Sequence, residues 1–192
     1  MGGGAALAAA LSGLVRCLRR PFGTARSPDR HFLENTLLPT LDAEISIERL
    51  LFVGCAACTQ RYSGLMRRTE YWTMEPQPRR AHYGAALHIV DTLQRLGRHV
   101  PSAYFDAIVV NGVLGWGLNR RDDAESAFLA CHAALRPGGL LILGWNDVLP
   151  RNRITPATLA TLARFSPEGL EAFPARMPVP GPERHVFEFY RR

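Results

Sequence analysis

Small and acidic residues follow two apolar runs of this 192-residue sequence at a spacing that suits a nucleotide. The run 50–53 leads into Gly54–Cys58, and the run 71–74 leads into Glu75, 21 residues after Gly54. Small side chains let the backbone approach a ligand closely. An acid at this distance can accept hydrogen bonds from two ribose hydroxyls. We therefore expect a nucleotide-like ligand at these two strand ends.

Two further polar residues follow later apolar runs in the same way. Asp91 follows 87–90 and could accept a hydrogen bond from an exocyclic amine, and Asn111 follows 105–110 at the rim of the same cleft. Taken singly, Glu75 could be a solvated acid, Asp91 could cap the next helix, and Asn111 could be a turn residue. Their shared position after successive strands is what favours a binding site.

The elements that must position these residues are short strands buried on both faces. The apolar runs are aliphatic and β-branched, without polar alternation, and they occur at 50–53, 71–74, 87–90, 105–110 and 140–143. Runs of this kind are typical of a parallel sheet covered by helices. The carboxyl ends of parallel strands meet at one edge, where ligands bind in such sheets.

Helices are predicted over 30–41 and 122–135. The second carries Asp122 and Asp123 at its start, where acids interact well with the helix dipole, and Arg136–Gly139 supplies the residues that end it. The sequence thus predicts an α/β fold with a doubly wound, mostly parallel, Rossmann-like sheet.

The C-terminal region predicts a hairpin. The segments 170–177 and 184–190 flank a turn at Pro178–Pro182, and the second segment alternates between polar and apolar residues. That alternation favours an antiparallel strand at the edge of the sheet.

Composition divides the chain into a low-complexity leader, 1–28, and one domain, 29–192. All 23 basic residues are arginine, and the net charge is +6. The leader holds four of these arginines and no acid, so the remainder, with 19 bases and 17 acids, is nearly neutral. A nucleic-acid-binding face should belong to the folded domain, so this distribution argues against a nucleic-acid partner.

The leader also bears on localisation. Its apolar run precedes its arginines, the reverse of a secretory signal, and no stretch is long enough for a transmembrane helix. We therefore expect a cytoplasmic protein. The alternative is targeting to an organelle, because an Arg-rich, acid-free N-terminus resembles a transit peptide.

Two other chemistries compete for the loop after the first strand. Cys55-x-x-Cys58 could be a redox pair, or half of a zinc site that would need two further ligands. A nicotinamide cofactor would require G-x-G-x-x-G, and Gly54–Thr59 lacks the second and third glycines.

Over roughly residues 30–192 the sequence resembles the class I S-adenosylmethionine-dependent methyltransferases. The most specific match is the strand Phe105–Val110, a helix, then Leu135–Gly139 leading into the strand Leu140–Leu143. The stretches Leu51–Gly54, Asn111–Gly117 and Gly144–Asp147 resemble a methyltransferase-like branch with a degenerate first motif.

The resemblance implies a seven-stranded sheet with an antiparallel last strand, and S-adenosylmethionine as cofactor. In it, the glycine loop passes under the methionine and ribose, Glu75 binds the ribose hydroxyls, Asp91 reads the adenine amine, and Asn111 lies near the sulfonium. The implied cofactor-binding residues are Gly54, Cys55, Ala56, Glu75, Asp91, Thr92 and Asn111.

The sequence departs from the family's first motif at three positions. The family carries an acid where Phe52 stands and glycines where Ala56 and Cys58 stand. An alanine is tolerated where the backbone angle φ is negative. These changes motivate the alternative to a methyltransferase, a non-catalytic protein of the same fold that acts as a binding or scaffold partner.

The acceptor of a methyl group is expected to be a small molecule. Enzymes that methylate exocyclic amines of bases resemble one another in an Asn/Asp-Pro-Pro-aromatic motif, whereas this chain has Asn111-Gly112-Val113-Leu114. The acceptor pocket would come from residues 1–45 and the loops 112–121 and 145–156.

Position alone makes Asp147, just after the fifth strand, the candidate acid–base residue. Trp116 and Trp145 could form a wall of the acceptor pocket, although tryptophans are more often core. His88 and His132 are expected to be structural, the first within a strand and the second on a helix.

Overall fold

A computed structural model describes residues 27–192. The leader predicted at 1–28 therefore lies outside the described residues, except for its last two positions. Within the described part, no helix combines the length and hydrophobicity needed to cross a membrane.

A sheet of eight strands forms the centre of the domain. Its strands are β1 (Arg49–Val53), β2 (Glu70–Met74), β3 (Leu87–Ile89), β4 (Phe105–Asn111), β5 (Leu135–Asn146), β6 (Ser166–Pro167), β7 (Arg176–Pro178) and β8 (His185–Arg191). The order is β3-β2-β1-β4-β5-β8-β6, and β7 also pairs with β8. The strands β1 to β5 are parallel to one another, and β8 runs antiparallel to β5. The predicted α/β class, with a mostly parallel sheet and an antiparallel last strand, is confirmed.

Within residues 27–192, three α-helices accompany the sheet. They are α1 (Pro28–Phe32), which continues through a π-helical segment (Leu33–Leu37) into α2 (Leu38–Ala43), and α3 (Arg121–Ala134). The first two correspond to the helix predicted at 30–41, and α3 to the one predicted at 122–135. Pro28 at the helix start and Asp29 in the first turn favour initiation there.

The strands are apolar throughout because their two faces enter two separate cores. Alternate residues of β1 divide between them: Leu51 and Val53 pack in the cluster that includes α3, whereas Leu50 and Phe52 pack under the helical segment 28–43. Side chains of a strand point alternately to opposite faces. Both faces are therefore covered, as the sequence predicts.

The connections after β1, β2 and β3 contain only short helices. Each contains a 3-10 helix, at Gln60–Gly64, Pro78–Tyr83 and Leu93–Arg98. Cys58 itself lies in a turn before the first of these helices, which begins at Gln60. Prolines and glycines interrupt these segments before an α-helix can extend.

The C-terminal strand is not at the edge of the sheet. β8 pairs with β5 on one side and with β6 and β7 on the other, and six of its seven residues are buried. The prediction of an antiparallel strand is correct, but its edge position is wrong. Of the predicted segment 170–177, only Arg176 and Met177 join the sheet, and β7 extends one residue further, to Pro178 of the predicted turn. The implied seven-stranded sheet therefore has eight strands, because the short strands β6 and β7 pair with different parts of β8.

Candidate functional site

The carboxyl ends of four parallel strands meet at one edge of the sheet. Val53 of β1 lies beside Met74 of β2 and Val110 of β4, and Met74 lies beside Ile89 of β3. The residues that follow these strands therefore share one edge, on both sides of the point where the strand order reverses between β1 and β4.

Gly54 occupies a backbone conformation that favours glycine. Its φ angle is +94°, in the left-handed region, and its N–H donates to the carbonyl of Met74 at 2.8 Å. A Cβ at this position would lie 3.6 Å from Val113 Cγ2 and 3.8 Å from the carbonyl oxygen of Asn111. The first strand thus turns sharply at Gly54, directly beside the residues that follow β4.

Glu75 is a buried carboxylate held against the same turn. Glu75 is only 4% exposed to solvent. Oε2 accepts the backbone N–H of Cys55 at 3.1 Å, and Oε1 accepts that of Gln77 at 3.2 Å. The Arg80 guanidinium lies 3.9 Å from Oε1. Among residues 27–192, each oxygen accepts one hydrogen bond and retains a second lone pair, which is the capacity needed to bind two hydroxyl groups.

Asp91 follows β3 at the same edge, and its carboxylate already has partners. Oδ1 accepts the N–H of Thr92 at 2.7 Å, and Oδ2 accepts from His99 Nε2 at 2.9 Å, with Arg95 at 3.8 Å. The His99 hydrogen bond, followed by that of Thr92, lowers the pKa of Asp91. Thr92 contributes its backbone, since its side chain makes no cap to the 3-10 helix that follows.

Asn111 lies at the end of β4 and contacts a residue that the sequence argument missed. Its Oδ1 is 3.1 Å from Nε2 of His185, the first residue of β8. An antiparallel last strand begins at the edge where parallel strands end. His185 could have been found by that rule, because it opens the alternating run already identified as antiparallel.

The altered glycine loop keeps an unstrained backbone. Ala56 and Cys58 are absent from the non-glycine residues with positive φ, which within 27–192 are Ala103 and Arg184. The Ala56 N–H is bound by Thr59 Oγ1 at 3.0 Å, which closes the turn. The missing acid at Phe52 also has a local reason, because its ring lies in the core against Tyr62 at 5.4 Å.

The two cysteines of this loop do not have the properties of a redox pair. Cys55 is buried and Cys58 is half-buried. Burial, reinforced by the nearby charge of Glu75, raises the pKa of Cys55 to about 11, whereas a reactive thiol needs a lowered pKa. In residues 27–192 no three His, Cys, Asp or Glu side chains form a group that could hold a metal ion.

The residues predicted to surround the methyl acceptor lie in different environments in the structure. Trp145 is buried in the core and is not available as a pocket wall, which corrects that expectation. Trp116 lies under the Arg151 guanidinium, 4.5 Å from the ring centre. Asp147 is partly exposed, and its Oδ2 pairs with Arg184 at 3.2 Å.

The two histidines expected to be structural have structural contacts. His88 Nδ1 lies 2.8 Å from the Thr73 hydroxyl on the neighbouring strand, and His132 packs its ring against Phe165. Burial lowers the pKa of both imidazoles.

Comparison with known proteins bears on the fold. No protein-family model matches the sequence, and no curated protein matches it. Among solved structures, the N-methyltransferase NodS from Bradyrhizobium japonicum WM9, in complex with S-adenosyl-L-homocysteine, aligns with a TM-score of 0.69 at 18% identity. The alignment covers 95% of this chain and 98% of NodS.

Two further structures show the same architecture. A TehB-like SAM-dependent methyltransferase from Corynebacterium glutamicum aligns at a TM-score of 0.59 and 15% identity, covering 96% of this chain and 95% of that one. The 1,6-didemethyltoxoflavin-N1-methyltransferase of Burkholderia thailandensis aligns at 0.57 and 14% identity, covering 98% and 88%. The chain therefore has the fold of the class I S-adenosylmethionine-dependent methyltransferases.

Proposed function

We propose that the protein binds S-adenosylmethionine and transfers its methyl group to a small-molecule acceptor. The observation that carries the proposal is the Glu75 carboxylate, buried at the switch in strand order and fixed by the backbone of the Gly54 turn. Fold alone does not define function, so the proposal depends on this site rather than on the architecture.

The residues at the carboxyl edge fit an adenosine-containing cofactor. Glu75 would bind the ribose hydroxyls with its remaining lone pairs, and Asp91 with Thr92 would lie at the adenine. The turn of Gly54, Cys55 and Ala56 would pass beneath the ligand. In this turn Gly54 takes a positive φ angle and Ala56 does not, so the alanine adds no backbone strain.

The cofactor would supply a methyl group on a positively charged sulfur. The work of the protein is then mainly to align the acceptor with that methyl, and alignment can lower a barrier by roughly 7–11 kcal/mol. An acceptor that loses a proton also needs a base, and Asp147 stays our candidate by its position after β5. An unchanged turnover in Asp147→Asn would eliminate it.

A small molecule is the proposed acceptor for two reasons. Asn111–Leu114 differs from the motif of enzymes that methylate bases, and the residues after 28 are nearly neutral. One similar structure is a methyltransferase crystallised with the small molecule 1,6-didemethyltoxoflavin. We also propose that the domain comprises 29–192 and works in the cytoplasm, with organelle targeting through residues 1–28 as the alternative.

The second candidate is a non-catalytic member of this fold. It is favoured by the partners that two of the proposed ligand-binding carboxylates already have. Arg80 lies 3.9 Å from Glu75, and His99 and Thr92 both bind Asp91. A cofactor would have to share or displace these groups.

Thermal unfolding of the full chain with S-adenosylmethionine, S-adenosylhomocysteine and NAD tests the proposal. A ligand at 100 times its dissociation constant stabilises by about 2.7 kcal/mol, which corresponds to a shift of roughly 5–10 °C. We expect the shift with both sulfur ligands and not with NAD. Glu75→Gln should remove it, whereas Glu70→Gln, at the other end of β2, should keep it.

No shift at millimolar sulfur ligand would leave the non-catalytic candidate. A shift with NAD alone would overturn the methyltransferase proposal in favour of a dinucleotide.

A further inference from the structure

Asn111 and His185 form a polar contact across an intervening strand. Asn111 ends β4, His185 begins β8, and β5 lies between them. The contact crosses Gly144 of β5, where a Cβ would lie only 1.9 Å from Asn111 Oδ1 and 3.0 Å from His185 Nε2. Glycine at this position is therefore what allows the two side chains to meet.

His185 is the donor in its hydrogen bond with Asn111. His185 is 4% exposed and packs its ring 4.7 Å from that of Phe187. Burial lowers the pKa of its imidazole, although Asp29 and Glu183 oppose this shift. Because an amide oxygen can only accept, His185 must carry its hydrogen on Nε2 and donate it to Asn111 Oδ1.

This hydrogen bond fixes the orientation of the Asn111 carboxamide. With Oδ1 held by His185, the amide nitrogen is the group of the carboxamide that is left to donate elsewhere. Within residues 27–192, no hydrogen bond is made by Asn111 Nδ2, and the side chain is half-buried. An N–H donor is therefore available at the end of β4, where the backbone carbonyl of Asn111 lies beside the Gly54 turn.

The strand order indicates which part of a cofactor this donor would meet. The order β3-β2-β1-β4 places Asp91 and Glu75 on one side of Gly54 and Asn111 on the other. If the adenosine lies on Asp91 and Glu75, the amino-acid end must extend past Gly54 towards Asn111. The one anionic group at that end is the carboxylate.

We propose that His185 is a positioning residue for cofactor binding: it orients Asn111 so that the Nδ2–H donates to the carboxylate of the cofactor's amino-acid group. This inference rests on the proposed function, because it requires that the site bind S-adenosylmethionine. It adds a role for the last strand, whose first residue acts on the ligand through Asn111.

The test compares two ligands that differ only in the carboxylate. They are S-adenosylhomocysteine and 5′-deoxy-5′-(3-aminopropylthio)adenosine, which is the same molecule without that group. Their affinities are measured by calorimetry on the full chain. We expect Asn111→Asp, which keeps the acceptor for His185 but replaces the donor by a negative charge, to weaken S-adenosylhomocysteine at least about tenfold. The decarboxylated ligand should bind this variant no more weakly than it binds the wild type.

Variants of His185 test the positioning role. His185→Leu removes the hydrogen bond and should lower the affinity for S-adenosylhomocysteine, whereas His185→Gln places an amide N–H near the position of Nε2 and should restore it. Asn111→Ala provides a second route should His185→Leu fail to fold, and it should show the same selective loss.

The outcomes separate the two proposals. If the wild type binds neither ligand, the proposed function fails, and this inference with it. If the wild type binds both ligands equally, or the variants weaken both equally, the proposed function stands and the role of His185 and Asn111 is overturned.

Discussion

The carboxylates of Asp106 and Glu75 lie at opposite edges of the sheet, and they differ in how many N–H groups they accept. At the amino edge, Asp106 Oδ2 accepts the N–H groups of Glu48 and Arg49 at 2.9 and 2.8 Å, and Oδ1 accepts Arg136 Nε. Each oxygen of Glu75 accepts a single N–H. The chain thus supplies three N–H donors to the first carboxylate and two to the second, which keeps more acceptor capacity for something else.

The difference separates residues that stabilise the fold from residues that can bind. Asp106 connects the start of β1, the start of β4 and the segment after α3, and Arg136 extends the connection to the carbonyl of Ser46 at 2.9 Å. The residues around Glu75 instead come from the turns that follow strands. Loops at this edge carry ligand sites in open α/β sheets, supported by the strands below them.

The largest expected effect is at the amino edge. Asp106→Asn should lower the free energy of unfolding by about 2–4 kcal/mol, because the amide puts an N–H donor where N–H groups need an acceptor and removes the charge beside Arg136. Urea unfolding measures the loss. The affinity of the folded protein for S-adenosylhomocysteine should not change. If Asp106→Asn kept its stability but lost affinity for S-adenosylhomocysteine, Asp106 would be a binding residue, and the amino edge would not be the purely structural one.

The sequence was sufficient to predict the five parallel strands and the edge where they end. The runs at 50–53 and 105–110 form β1 and β4. Both faces of these strands are covered, so their residues are mostly apolar, and a run of apolar residues can be recognised from the local sequence alone. The alternation of 184–190 was misleading in one respect. All of its residues but the first, Arg184, are buried, so Glu188 faces a core position, where it pairs with Arg176.

Contacts between distant parts of the chain could not be predicted. His185 meets Asn111 over 74 positions of sequence, and its place is set by the pairing of β8 with β5. Arg80 and His99 reach Glu75 and Asp91 because the segments after β2 and β3 form 3-10 helices. No local pattern specifies these side-chain directions, since they depend on packing rather than on spacing.

A smaller effect is expected at the Gly54 turn. Gly54→Ala should cost about 1–2 kcal/mol of stability, because an L side chain at φ +94° is strained although its Cβ would make only ordinary contacts. Gly64→Ala is the matched control, since it has no positive φ and no atom within 4 Å of an added Cβ. Urea unfolding should show the loss in the first variant alone. An equal loss of stability in Gly54→Ala and Gly64→Ala would mean that the turn at Gly54 does not require a glycine.

The smallest effect is expected at Asp91. This residue lies at the carboxyl edge, as Glu75 does, but its carboxylate has several partners, as that of Asp106 has. The test is whether Asp91 stabilises the fold or is available to bind a ligand. Its pKa is lowered in the folded state, mainly by His99 and then by Thr92. A lowered pKa contributes stability above the pKa of the unfolded chain, and the contribution is lost as the pH falls. Asp91→Asn should therefore be slightly less stable than the wild type at pH 7, and the difference should shrink below about pH 4.

Urea midpoints measured from pH 7 downwards give this comparison, with His99→Gln as a variant that retains an N–H donor near Asp91. The effect should be smaller than that of Asp106→Asn, because the Asp91 carboxylate is partly exposed and water competes for it. A loss as large as that of Asp106→Asn would mean that Asp91 is a structural carboxylate. The adenine side of the proposed site would then lack its acceptor, and only Glu75 would distinguish the carboxyl edge from the amino edge.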